Sequence, residues 1–182
     1  MRIKELIIGE NIGVFAISLV ESPAIEVDGI YLSKDDNIEI QLKEDVEQGL
    51  FAGIILRPDK LIKRKDEQGF FHIHFSKDTV QKLAHNYLSN YSQGQTTEEH
   101  NGHINGVTLV ETWTVLDPDN DKSNALGLNA RKGDWAGMFD IKNEDTKEKL
   151  RSGVIKGISI EGSFEEATEA DKLLSELNNL DN

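Results

Sequence analysis

The chain has 182 residues, enough for one well-buried domain and too few for two comfortable ones. Its 33 acidic residues against 20 basic give a net charge of −13, which disfavours phosphate backbones and anionic lipid as partners. Cysteine is absent, which excludes disulfide scaffolds, thiolate zinc sites and a cysteine nucleophile, and fits a reducing compartment. No run approaches the ~20 apolar residues of a membrane span, and the opening Met-Arg-Ile-Lys-Glu-Leu lacks the apolar centre of a signal peptide. A soluble cytoplasmic domain is expected.

The first half reads as short strands. Ile12 to Val20 is an apolar run closed by Ser22-Pro23, where proline removes a ladder donor. Gly29 to Leu32, Ile38 to Leu42 and Gly49 to Leu56 follow, separated by acidic turns. Gly69 to Phe75 places Phe71, Ile73 and Phe75 on one face. Ser76 then caps a helix whose Val80, Leu83, Ala84, Tyr87, Leu88 and Tyr91 form one apolar stripe.

Ser92 to Gly106 reads as a polar loop, with tight turns at Asn101-Gly102 and Asn105-Gly106. Val107 to Leu116 is the strongest strand, and Asp117 to Asp134 a long polar excursion anchored at Ala125-Leu126. Trp135 to Ile141 is a strand. Asn143 caps a short helix ended by Gly153 in the left-handed region. Val154 to Phe164 is the last strand. The pattern predicts an α+β or mainly β, barrel-like domain over residues 1–164, with 165–182 as an acidic helix or tail.

Candidate chemistry gathers at a few places. In Gly157-Ile158-Ser159-Ile160-Glu161-Gly162, alternation sends the isoleucines to the core and puts Ser159 and Glu161 on the opposite face. A serine there is either half-solvated or a nucleophile that needs a base within hydrogen-bond reach. His100 and His103, in Glu99-His100-Asn101-Gly102-His103, stand at a strand entrance and suit acid–base work. His72 and His74 share the polar face of their strand, which fits a surface pair or, with His100 and His103, a metal hydrolase. His85 lies on the polar side of the helix.

Strict alternation also places Glu111 among Val107, Leu109, Trp113 and Val115, where a carboxylate needs a partner. A histidine would suit it, and so would a structural Arg or Lys; Glu161 is the rival carboxylate. Asp117-Pro118-Asp119-Asn120-Asp121 imitates the start of a calcium loop. Lys122 stands where that loop needs Gly and Leu128 where it needs Glu, so it reads as an acidic turn. No glycine-rich phosphate signature occurs.

Several segments, in order, resemble the prohead proteases of tailed bacteriophages, in particular their XkdF-like branch. They are Phe70-Phe71-His72-Ile73-His74-Phe75-Ser76-Lys77-Asp78-Thr79, Thr96-Thr97-Glu98-Glu99-His100 and Asn105-Gly106-Val107-Thr108-Leu109-Val110-Glu111-Thr112-Trp113. Asp117-Pro118, Asn120 to Gly127, Lys132-Gly133-Asp134-Trp135 and Gly157 to Gly162 continue the series, and Ser18 to Ile25 adds an N-terminal match.

The resemblance implies a β-barrel flanked by helices, like that of herpesvirus assemblins, and a serine endopeptidase that processes scaffold and major capsid proteins during procapsid maturation. It implies Ser159 as nucleophile and His100 as base, with no cofactor and no metal. In commoner relatives a Glu within Glu-Val-Ser-Leu-Val follows the nucleophile. Here the similar segment precedes it and Ala16 holds the Glu position. Glu111 is the first substitute for the third catalytic member and Glu161 the second. The alternative is a catalytically inactive capsid- or scaffold-interacting protein of the same fold. The expected setting is the host cytoplasm, inside the assembling procapsid, with self-association left open and basic scaffold segments suited to the chain's charge.

Overall fold

The computed structural model describes residues 1–8, 13–26, 30–32 and 49–173. Strand β1 (Ile3–Ile7) opens the chain, followed by β2 (Val14–Val20), β3 (Ile30–Leu32) and β4 (Leu50–Leu56). Next come the hairpin of β5 (Ile62–Asp66) and β6 (Gly69–His74), helix α1 (Lys77–Ser89) and the short β7 (Thr96–Glu98). Strand β8 (Val107–Thr114), the one-turn α2 (Lys122–Ala125), β9 (Trp135–Ile141), α3 (Glu144–Arg151), β10 (Gly157–Gly162) and β11 (Glu165–Glu166) complete the series. Strands thus dominate, with few helices, in an α+β arrangement.

The strands form three sheets, ordered β11-β1-β6-β5, β10-β2-β7 and β3-β4-β9-β8. Among the described residues their ladders do not close into a barrel. The all-apolar faces of β2, β4 and β9 enclose the core, with Ile17, Leu19, Phe51, Ile54, Trp135 and Phe139 essentially inaccessible to water. Helix α1 covers it with Val80, Leu83, Ala84 and Tyr87, and the Tyr87 ring meets Trp135 edge-on at 5.9 Å. Burial pushes the Tyr87 phenol well above its ordinary value.

The predicted stripe on α1 is shorter than its periodicity suggests. Leu88 is partly exposed, and Tyr91 leaves the helix in the left-handed region (φ 56°) and is exposed. Helix α3 follows its sequence signals closely. The Asn143 side chain accepts from Thr146 N at 3.0 Å, and Gly153 (φ 71°) ends it. The expected strand at Ile38 to Leu42 lies outside the described residues. The predicted Ser92–Gly106 loop contains β7, whose Thr-Thr-Glu is too short and polar to read as a strand. Past β10, Glu165 and Glu166 pair with β1, and residues 169–173 are helical.

The polar excursion before β9 is pinned by a buried ion pair. Arg57, just after β4, donates to Asp134 from Nη2 at 2.7 Å and from Nε at 3.1 Å, with the two side chains 5 % and 0 % exposed. Arg57 Nη2 also donates to Asn129 O at 2.6 Å, and Arg131 N to Asp134 Oδ2 at 2.8 Å. Removing one partner strands the other charge, so Arg57→Met is expected to cost about 3–5 kcal/mol in urea denaturation. A cost below about 1 kcal/mol would contradict this account of the pair.

Candidate active site

Strand β2 is the middle of its sheet, antiparallel to β10 on one side and parallel to β7 on the other. Its register sets Ser18 opposite both Ser159 and Thr97, and Ala16 opposite Glu161. Directly opposed residues share a face, with β-carbons about 4.5–5.5 Å apart in an antiparallel pair. Ser159, Ser18, Thr97 and Glu161 therefore occupy one face of the sheet, while Ile158 and Ile160 take the other. Ser159 is buried and, among the described residues, its hydroxyl has no hydrogen-bond partner.

The turn after β7 brings His100 to that face. Glu99 and His100 both have positive φ (49° and 58°), a conformation that costs non-glycine residues energy unless neighbours enforce it. The neighbours here come from β2 and its C-terminal end. His100 N donates to Ser18 Oγ at 3.0 Å, Glu99 N to Leu19 O at 3.1 Å, and Glu21 N to Glu99 Oε1 at 2.5 Å. Lys149 of α3 adds a brace from outside, reaching Glu98 at 2.5 Å and Asp145 at 2.7 Å.

The imidazole then meets a carboxylate. His100 Nδ1 lies 3.3 Å from Glu161 Oε1, and Thr97 Oγ1 donates to the same oxygen. Ala16 makes this possible, because its small side chain lets Glu161 reach across β2 toward β7. The ladder shifts register between Glu161 and Gly162, a bulge of the kind that re-aims a side chain. A β-carbon at Gly162 would sit 2.6 Å from Gly13 O, so the bulge requires glycine. With Nδ1 facing Glu161, the opposite ring nitrogen, Nε2, is the one left for proton exchange, and nearly half of the His100 side chain remains accessible.

Glu111 stands elsewhere. The β8 ladder slips between Leu109 and Glu111, so Val110 is the extra residue and the strict alternation read from the sequence fails there. The slip turns Glu111 out to solvent, 52 % exposed and ion-paired with Lys122, instead of among apolar groups. It turns Thr112 inward, where it accepts from Trp135 Nε1 at 2.6 Å and donates to Ala136 O at 2.8 Å. His72 and His74 lie on β6 in a different sheet, His74 Nδ1 being 3.5 Å from Asp59, and His85 and His103 are exposed. Among the described residues, no three His, Asp or Glu side chains converge as metal ligands. Asp117 folds its own turn, accepting from Asn120 Nδ2 at 2.9 Å and Asp119 N at 3.2 Å. The Asn120 contact first, then Asp119, holds the Asp117 carboxyl below its ordinary value.

The family model described as "Putative phage serine protease XkdF" matches residues 37–169. The chain belongs to this family. The XkdF-family match includes His100, Ser159 and Glu161, whereas Ser18 and Ala16 of β2 precede it. No curated protein and no solved structure matches the chain. No helix among the described residues is long and apolar enough to cross a membrane. Ser18 and Thr97 escaped the sequence reading because their roles come from strand pairing; Thr97 sits in a strand too short to show a period.

Proposed function

We propose that this XkdF-family chain is a serine endopeptidase with Ser159 as nucleophile, His100 as general base and Glu161 as the group that orients His100. The carrying observation is the contact of Glu161 with His100 Nδ1 on the sheet face that Ser159 shares, with Ser18 fastening the His100 backbone opposite Ser159. Ser159 Oγ attacks the scissile carbonyl while its proton passes to His100 Nε2. The resulting imidazolium is stabilised by Glu161 and gives the proton to the leaving amine. Water, deprotonated by His100, then releases the acyl group from Ser159. Catalytic hydrogen bonds of this kind often tighten only with substrate bound.

Its substrates in this reading are phage scaffold and major capsid proteins, cleaved inside the assembling procapsid, and an assemblin-like barrel belongs to the same reading. Co-expression with scaffold and capsid proteins tests it. Discrete new termini by mass spectrometry are expected, and intact partners in filled procapsids would favour the inactive structural alternative.

Ser18 is a positioning residue here. Ser18→Ala leaves the His100 N–H without its acceptor, a loss of about 1–3 kcal/mol, so kcat is expected to fall about 10- to 100-fold. KM should stay unchanged and Ser18→Thr should restore the rate, because a threonine hydroxyl accepts the same bond. A KM effect alone, or no rescue, would contradict the assignment.

A further inference from the structure

The carboxylate that meets His100 has few partners of its own. Among the described residues the Glu161 side chain contacts Thr97 and His100, and no Lys or Arg. Both contacts fall on the same oxygen, Oε1. The His100 ring alone is a poor anchor, because its side chain is 45 % exposed and free to turn unless something holds it. Glu161 therefore needs a fixed point elsewhere, and Thr97 is the other group it touches.

Thr97 is built to be that point. It is buried, and a β-branched side chain in a strand has few rotamers open to it. Its backbone is held on both sides, paired with Ser18 of β2 and, in an isolated antiparallel bridge, with His103. Ile104 N donates to Thr96 O at 2.8 Å and Asn101 N to Glu98 O at 2.9 Å, so residues 98–102 form an arch that springs from Thr97 and lands on His103. That arch carries His100. One residue thus anchors the loop of the base and the carboxylate that orients it. A hydroxyl donating to a carboxylate makes a charge-assisted bond, roughly twice as strong as a neutral one.

We propose that Thr97 is a positioning residue: its hydroxyl fixes Glu161 Oε1 against His100 Nδ1, which keeps the proton of the neutral imidazole on Nδ1 and leaves Nε2 for proton exchange. The proposal rests on the protease reading for its effect on rate, and not for its effect on the imidazole. Thr97→Val keeps the shape of the side chain and removes the hydroxyl, whereas Thr97→Ser keeps the hydroxyl and removes the methyl group. A role in packing follows the shape. A role in positioning follows the hydroxyl.

The test has two arms, both on the full chain. In the first, hydrolysis of a scaffold-derived peptide should lose about 10- to 100-fold in kcat on Thr97→Val, the size of one hydrogen bond to a charged group, with KM unchanged. Thr97→Ser should stay within about 3-fold of the parent. Adding Thr97→Val to a Glu161→Gln chain should cost less than about 3-fold more, because the effect runs through that carboxylate. In the second arm, long-range ¹H–¹⁵N spectra in alkaline buffer read which ring nitrogen of neutral His100 carries the proton, its signals assigned by their loss in His100→Gln. The parent and Thr97→Ser should show the Nδ1–H form, and Thr97→Val a shift toward Nε2–H. A Thr97→Val chain with parental kcat, a loss that Thr97→Ser shares, or a loss that adds in full to that of Glu161→Gln would overturn the proposal. So would a His100 proton that stays on Nδ1 in Thr97→Val. A parent that cleaves nothing, yet shows the hydroxyl-dependent Nδ1–H form, contradicts the protease reading and leaves the role of Thr97 standing.

Discussion

Ser159→Ala is expected to abolish peptide hydrolysis, lowering kcat on the order of 10⁶-fold, the scale on which a serine–histidine unit fails when one member is removed. Stability should stay within about 1 kcal/mol of the parent, because the Ser159 hydroxyl has no partner among the described residues to leave unsatisfied. Alanine also fills nearly the same space in the ladder opposite Ser18. The pairing of a large kinetic loss with an unchanged urea midpoint separates a nucleophile from a packing residue. A variant that still cleaves head proteins would contradict the role of Ser159; a variant that loses the fold would contradict the structural account of β10.

The two candidate carboxylates give the second large effect. Glu161→Gln keeps the shape beside His100 but removes the charge that stabilises the imidazolium, so a loss in kcat on the order of 10⁴-fold is expected, as for other orienting carboxylates. Glu111→Gln should change kcat by less than about 3-fold, because its partner is the surface residue Lys122 and exposed pairs of this type contribute little. Steady-state kinetics on one scaffold-derived peptide decide between them. A larger loss from Glu111→Gln than from Glu161→Gln would reverse the assignment.

Much of the architecture is legible because apolar runs and caps act locally. The β4 and β9 runs, the α3 cap at Asn143 and the Gly153 stop each carry their cause within a few residues. Strand β5 is not legible, since Ile-Lys-Arg-Lys-Asp has a single apolar residue and no alternation, and it becomes a strand through its partner β6. The same limit explains the carboxylates. Glu111 looked anomalous on perfect alternation, and a single bulge at Leu109/Glu111, which no local residue announces, moved it to the surface. Glu161 gained His100 because β2 lies between β10 and β7, a long-range pairing that spacing along the chain does not encode. The Arg57–Asp134 pair, 77 residues apart, was hidden for that reason too.

Reaction with a fluorophosphonate, followed by peptide mapping, tests the central claim most directly, because such reagents phosphonylate a serine, with loss of fluoride, only where a base activates it. The account predicts covalent labelling at Ser159 alone, lost in His100→Ala and reduced in Glu161→Gln but retained in Glu111→Gln. Labelling at another serine, or labelling of Ser159 that persists without His100, would contradict it.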